Sequence, residues 1–252
     1  MVRLEFDGRL GIITLDRPPA NAFDQDQLRQ LESVVAELEE RRELGALLVR
    51  AEGRLFSAGA DIGTIAALFD RPSEMVIVAR GLQSVFGRIE ALPVPTVAAI
   101  RGAATGGGLE LALACDFRIA GVAARLGLPE VLIGLVPGAG GTQRLVRIAG
   151  PVAAARLIIA GELVTGQEAE RLGIIHWTYP DEEVEARARV LAERLSGQSR
   201  PAMAAAKQCL VSAGTPGGYR KEIEMIESLM TTSEARALVF GFLNRQKGEV
   251  AE

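Results

Sequence analysis

Apolar residues follow two rhythms along this chain, and the balance between them changes near residue 180. Before that point, short apolar runs alternate with stretches at helical spacing. Val2–Phe6 and Leu10–Leu15 flank Asp7-Gly8, a hairpin signal. Asp24 is placed to cap a helix carrying Leu28, Leu31, Val34, Val35 and Leu38 at helical spacing. Ala46–Arg50 fits a buried strand, and Pro72–Ile89 a helix opening near Ser73. A second strand, Pro95–Ile100, runs into a Gly-rich turn that opens a Leu/Ala helix. Phe117–Ala120 and Ala124–Leu126 fit short strands, and Leu128-Pro129-Glu130 opens a helical turn. Gln143–Ile148, Pro151–Ile159 and Thr165–Leu172 fit helices, and Ile174–Trp177 a last strand. From Asp181 onward the pattern is almost all helix, punctuated at Gly197, Pro201, Gly214–Gly218 and Thr232-Ser233. Alternation followed by helices predicts an α/β core over residues 1–195 and a helical section over 196–252.

Composition narrows what such a protein does. A chain of 252 residues that is 48% hydrophobic is long enough to bury a large core. A net charge of -4 argues against nucleic acid as the main partner. Met1–Asp7 has no leader character, and no apolar run reaches the roughly 18 residues of a membrane span, so a soluble, cytoplasmic protein is expected. Two cysteines make no disulfide framework, and Cys115, in an apolar helix, reads as a reduced core residue. A single histidine, His176, rules out a histidine metal cluster, so no metal is expected. There is no Gly-x-Ser-x-Gly elbow, and Gly138–Thr142 lacks the lysine of a phosphate-binding loop.

Three stretches carry chemistry. Phe56-Ser57-Ala58-Gly59-Ala60-Asp61-Ile62 surrounds one glycine with small residues, which suits exposed backbone N–H donors; it also suits a tight turn with Asp61 as a helix cap. Gly106-Gly107-Gly108-Leu109-Glu110 opens a helix whose first N–H groups have no helical acceptor, with one carboxylate a turn further on. Gly-rich turns also serve close packing, so the triplet alone does not decide. Gly127–Gly138 sets Glu130 in an otherwise apolar run, where burial raises a carboxyl pKa; a helix N-terminus would equally favour an acid there. Two isolated acids beside free backbone donors are the raw material for proton transfer next to an oxyanion.

These stretches, in this order, resemble the crotonase superfamily, and among its members the enoyl-CoA hydratases. The likeness also takes in Leu15-Asp16-Arg17-Pro18, Cys115-Asp116, Pro129-Glu130 and Pro137–Leu145, and so spans nearly the whole chain. It implies an α/β crotonase (ClpP-like) spiral of ββα units followed by helices that build trimers, usually paired into hexamers. It implies an oxyanion hole from the N–H groups of Ala60 and Gly107. It implies that Glu110 and Glu130 hold one water between them, with Glu110 activating it for attack at C3 of a 2-enoyl-CoA and Glu130 exchanging a proton with C2. The N–H of Gly138 matches a water-positioning group. Ala58, Asp61 and Ile62 match CoA-contacting backbone, and Arg54 and Arg245 match basic positions that meet CoA. CoA enters as part of the substrate, and no further cofactor is implied.

Gly63 stands where hydratases often carry a lysine, and Thr64–Pro72 follows no readable pattern, which leaves acyl chain length open. Three functions compete: hydration, placed in fatty acid β-oxidation or related acyl-CoA metabolism; another crotonase reaction such as 3-enoyl/2-enoyl isomerisation, decarboxylation or hydrolysis; and a non-catalytic scaffold for RNA or protein. The presence of both acids favours hydration.

Overall fold

The computed structural model describes residues 1–249, with side chains through Arg245. The chain forms two compact units, Met1–Ser196 and the segment from Gly197 onward.

The first unit is built on a sheet of six strands. They are β1 (Val2–Asp7), β2 (Leu10–Leu15), β3 (Ala46–Ala51), β4 (Thr96–Ile100), β6 (Phe117–Gly121) and β9 (Trp177–Tyr179), adjacent in that order. Only the β1–β2 hairpin is antiparallel; the other neighbours run parallel. Parallel strands are covered on both faces, and the side chains obey that rule. Leu47 and Val49 of β3 join one core with Ala98 and Ile100 of β4, under α1 (Gln25–Glu40) and α3 (Pro72–Ala91). Ala46, Leu48, Val97 and Ala99 point the other way, into a second core closed by Val184, Ala188, Leu191 and Ala192 of α7 (Val184–Ser196). Alternation along each strand thus feeds two different layers.

A smaller sheet stands beside the first: β5 (Ala103–Thr105), β7 (Arg125–Gly127) and β8 (Val164–Thr165). β4 steps into β5, and β6 into β7, so each large-sheet strand is followed by a short one and then by helix. α4 (Gly107–Leu113) follows β5; the 3-10 turn Pro129–Ile133 and α5 (Gly141–Ile158) follow β7. The loop after β3 repeats the scheme, because Ser57 bridges Ala104 in parallel before α2 (Ile62–Ala67) and α3. The result is a spiral of strand–strand–helix turns. Asp24 caps α1 by accepting from the Gln27 N–H, as the sequence predicts. α5 breaks at Gly150 (φ 78°), the point between its two predicted helices. α6 (Gly166–Arg171) falls inside its predicted range. The last strand does not match: Ile174 and Ile175 are buried before the strand begins, and pairing with β6 starts at Trp177.

The second unit comprises α8 (Arg200–Val211), α9 (Gly218–Met230) and α10 (Ser233–Glu249). Ser199 caps α8. Ile223, Ile226, Met230, Leu238, Phe240 and Phe242 are exposed.

Candidate active site

The site forms where two turns of the spiral touch. The loop Phe56–Ala60 is pulled against β5: Ser57 donates to the Ala103 carbonyl, and Thr105 donates back to Ser57, at 3.1 and 3.0 Å. The Ser57 hydroxyl donates to the Asn21 carbonyl and accepts from the Gly59 N–H. Gly59 sits at φ +90°, and a Cβ there would lie 2.6 Å from the Thr105 carbonyl oxygen and 2.8 Å from the Gly107 nitrogen. Only glycine satisfies both the backbone angle and the approach. On the other side, Phe23 donates to Gly59 and accepts from Asp61. Those contacts use the groups flanking Ala60, so the Ala60 N–H faces away from Phe23. Gly107 is the first residue of α4, so its N–H has no acceptor within the helix. A Cβ on Gly107 would lie 3.6 Å from the Ala60 nitrogen, which brings the two predicted oxyanion donors together.

Glu110, in the first turn of α4, is 2% exposed. Its Oε1 accepts from the Ala139 and Gly141 N–H groups, both at 2.8 Å. Burial pushes its pKa up, against those two bonds and the nearby Arg144 guanidinium. Glu130 lies in the 3-10 turn, half-buried. Its Oε1 lies 2.9 Å from where a Cβ on Gly106 (φ +52°) would stand, and its Oε2 is buried with no hydrogen-bond partner. Desolvation raises its pKa to about 7, and the Glu110 charge adds to that. The fold thus gathers Ala60, Gly107, Glu110 and Glu130 at one place. A carboxyl held as an acceptor, a carboxyl with a free oxygen, and two unengaged N–H donors can take up a proton, deliver one and stabilise an oxyanion.

Gly138 begins the loop that grips Glu110; its carbonyl accepts from Gln83 Nε2 at 2.8 Å. Arg144 donates to the Ala139 carbonyl and pairs with Glu90, at 2.9 and 2.8 Å. Asp61 caps α2 through the Thr64 N–H and pairs with Arg17, and both contacts hold its pKa below the usual carboxylate range. The N–H groups of Ala58 and Asp61 are spent on Ala20 and Phe23. The Ala58 carbonyl accepts from the Thr105 hydroxyl at 3.2 Å, and Ala58 and Ile62 are exposed. Arg54 lines an open cavity of about 740 Å³ with Pro19, Arg101, Arg125, Asp181 and Glu182. Arg245 belongs to the second unit, exposed on α10.

The family profile described as enoyl-CoA hydratase/isomerase matches residues 5–249. The chain belongs to the enoyl-CoA hydratase/isomerase family. It is 37% identical over 250 residues to a probable enoyl-CoA hydratase of Bacillus subtilis, covering 98% of this chain and 96% of the relative. It is 32% identical to the 2,3-dehydroadipyl-CoA hydratase of Escherichia coli, covering 94% and 93%. The structure of Pseudomonas aeruginosa DspI superposes with a TM-score of 0.91 at 34% identity, covering 97% and 94%. An enoyl-CoA hydratase structure from Bacillus anthracis gives 0.91 at 30% identity, covering 97% and 96%. The spiral described above is the crotonase fold of this enoyl-CoA hydratase/isomerase family.

Nothing in the sequence pattern singles out Gln83, Glu90, Arg101 or Arg125, and Arg144 falls within the Pro137–Leu145 likeness. The others look like ordinary polar positions until the chain is folded. Among the described residues, no helix is long and apolar enough to cross a membrane.

Proposed function

We propose that this protein is an enoyl-CoA hydratase, a hydro-lyase that adds water across the 2,3 double bond of a 2-enoyl-CoA to give the 3-hydroxyacyl-CoA. The observation that carries this reading is the pairing of Glu110, held by two N–H groups, with Glu130, whose buried Oε2 has no partner, beside the Ala60 and Gly107 donors. The thioester carbonyl accepts from Ala60 and Gly107, which draws electron density from C3. A water held by the two carboxyls, with the Gly138 N–H as a further donor, attacks C3. Glu110 takes the water's proton, Glu130 gives its proton to C2, and the enolate collapses to the product. Exchange between the carboxyls or with solvent then restores the pair. Each N–H donor of this kind is worth about 3 kcal/mol in the transition state.

The CoA nucleotide lies along Ala58, Asp61 and Ile62, and Arg54, Arg101 and Arg125 meet its phosphates; their shared cavity supports this. In the second unit, the exposed apolar residues of α9 and α10 support a homotrimer, paired or not, in which Arg245 reaches CoA. Light scattering would then return at least three times the 26.7 kDa chain mass, and a monomer would rule this out.

The activity test follows loss of the enoyl thioester absorbance with crotonyl-CoA and trans-2-decenoyl-CoA. Wild type turns over, and Glu110→Gln and Glu130→Gln each lose about 10²-fold or more in kcat. A wild type that binds CoA esters without hydrating them sinks the proposal.

A further inference from the structure

The loop that grips Glu110 is itself gripped. Three consecutive peptide groups run from Gly138 to Gly141. In the first, the Gly138 carbonyl accepts from Gln83 Nε2 and the Ala139 N–H donates to Glu110, each at 2.8 Å. In the second, the Ala139 carbonyl accepts from Arg144 Nη1 at 2.9 Å. In the third, the Gly140 carbonyl accepts from the Arg144 N–H at 3.0 Å, and the Gly141 N–H donates to Glu110 at 2.8 Å. A donor on the carbonyl of a peptide polarises that peptide, so its N–H donates more strongly. It also fixes the plane's orientation, and with it the direction of the N–H.

Gln83 stands out among these donors. Its neighbours on α3, Leu82, Val85 and Phe86, are core residues, whereas Gln83 itself is exposed and reaches out to Gly138. Core packing does not account for a glutamine here. Arg144, by contrast, is buried and ion-paired with Glu90, so its removal would disturb the fold as well as the loop.

We propose that Gln83 is a positioning residue for the hydration: its amide, acting through the Gly138–Ala139 peptide, orients and strengthens the N–H that holds the Glu110 carboxylate. The proposal rests on Glu110 being a working acid–base group. The charged groups facing Glu110 are Arg144 from α5, itself paired with Glu90 of α3, and Glu130 from the 3-10 turn. None of them is altered by a change at Gln83.

The test compares wild type with Gln83→Met, which keeps the side-chain length and deletes the donor. A carboxyl-carbon NMR titration of Glu110, assigned with Glu110→Gln, reads the relay without any turnover. Losing one polarising bond weakens the grip on the carboxylate by about 1.5- to 4-fold, so the Glu110 midpoint rises by about 0.2 to 0.6 pH unit. The acidic limb of kcat/KM moves up with it, while KM stays within about twofold and the melting temperature is unchanged. An unchanged Glu110 midpoint overturns the proposal, even if activity falls. A raised midpoint in a protein that hydrates no enoyl-CoA upholds the relay and overturns the hydratase reading alone.

Discussion

Glu110 and Glu130 have the same side chain and opposite surroundings. Glu110 stands on a regular helix, almost fully buried, and one of its oxygens is held by two N–H groups of a clamped loop. Glu130 stands on a single 3-10 turn, half-buried, and its interior oxygen has no partner. Burial raises both pKa values; at Glu110 two N–H groups of the clamped loop and Arg144 oppose it, whereas at Glu130 only its own backbone N–H does, and the Glu110 charge adds to the rise. Two carboxyls with unlike environments divide acid and base duties between them. The loop N–H groups favour the anion at Glu110, while Glu130, raised to about 7, retains a proton near neutral pH, which fits the roles proposed for them.

The comparison has a common frame, the contact of Gly59 with the start of α4, and breaking that frame has the largest expected effect. Gly59→Ala puts a methyl 2.6 Å from the Thr105 carbonyl oxygen and 2.8 Å from the Gly107 nitrogen, at φ +90°. The two turns must part, so the proposed oxyanion donors, Ala60 and Gly107, separate. We expect kcat/KM to fall by about 10²- to 10³-fold. Gly173→Ala is the control. It sits at φ +74° with open space around its Cβ, so it carries backbone strain of about 1–2 kcal/mol and no collision. Equal activity losses in the two variants would show that strain, and not donor placement, governs Gly59.

The pH profile sharpens the contrast next. The proposed mechanism needs Glu130 protonated, so it predicts that kcat/KM falls as pH rises through about 7. Part of that raised pKa comes from the Glu110 charge. Removing the charge with Glu110→Gln therefore moves the alkaline limb of the residual activity to lower pH. Stability gives an independent reading. A carboxyl whose folded pKa is raised favours the fold most below its unfolded pKa of about 4.5 and loses that contribution as pH rises through about 7. Glu130→Gln consequently gains more in melting temperature over wild type at pH 8 than at pH 5. An equal gain at both values would mean that Glu130 is not strained as an anion.

Much of this arrangement was legible in the sequence, for physical reasons that particular residues make plain. Asp24 and the spaced Leu28, Leu31, Val34, Val35 and Leu38 specify α1 locally, through a cap and one apolar face. Glu110 and Glu130 were visible because an acid in an apolar run is expensive without a purpose. The short strands β5 and β8, with three and two residues, were not read, because alternation needs a longer run to register. β9 was displaced because Ile174 and Ile175 satisfy the core without joining the sheet. Gln83 and Glu90 act on partners 55 and 54 residues away, a distance over which local pattern carries no information.

The smallest effects belong to the cavity arginines, and there the contrast is with the acid pair itself. Arg101 reaches back to the Gly53 carbonyl at 2.7 Å, whereas Arg54 and Arg125 are exposed. An anchored guanidinium gives up less freedom when it meets a phosphate. Replacing any of the three with alanine should raise KM for a CoA ester by about 2- to 5-fold and leave kcat alone, since partly solvated ion pairs are worth up to about 1 kcal/mol. Arg101 should head that series. The differences should shrink at high salt, because the screening length falls to about 3 Å at 1 M. Asp181 and Glu182 share the cavity, so Glu182→Gln should lower KM at low salt. A change in kcat at any of these positions would move the cavity from the substrate capture proposed for it into the chemistry proposed for Glu110 and Glu130.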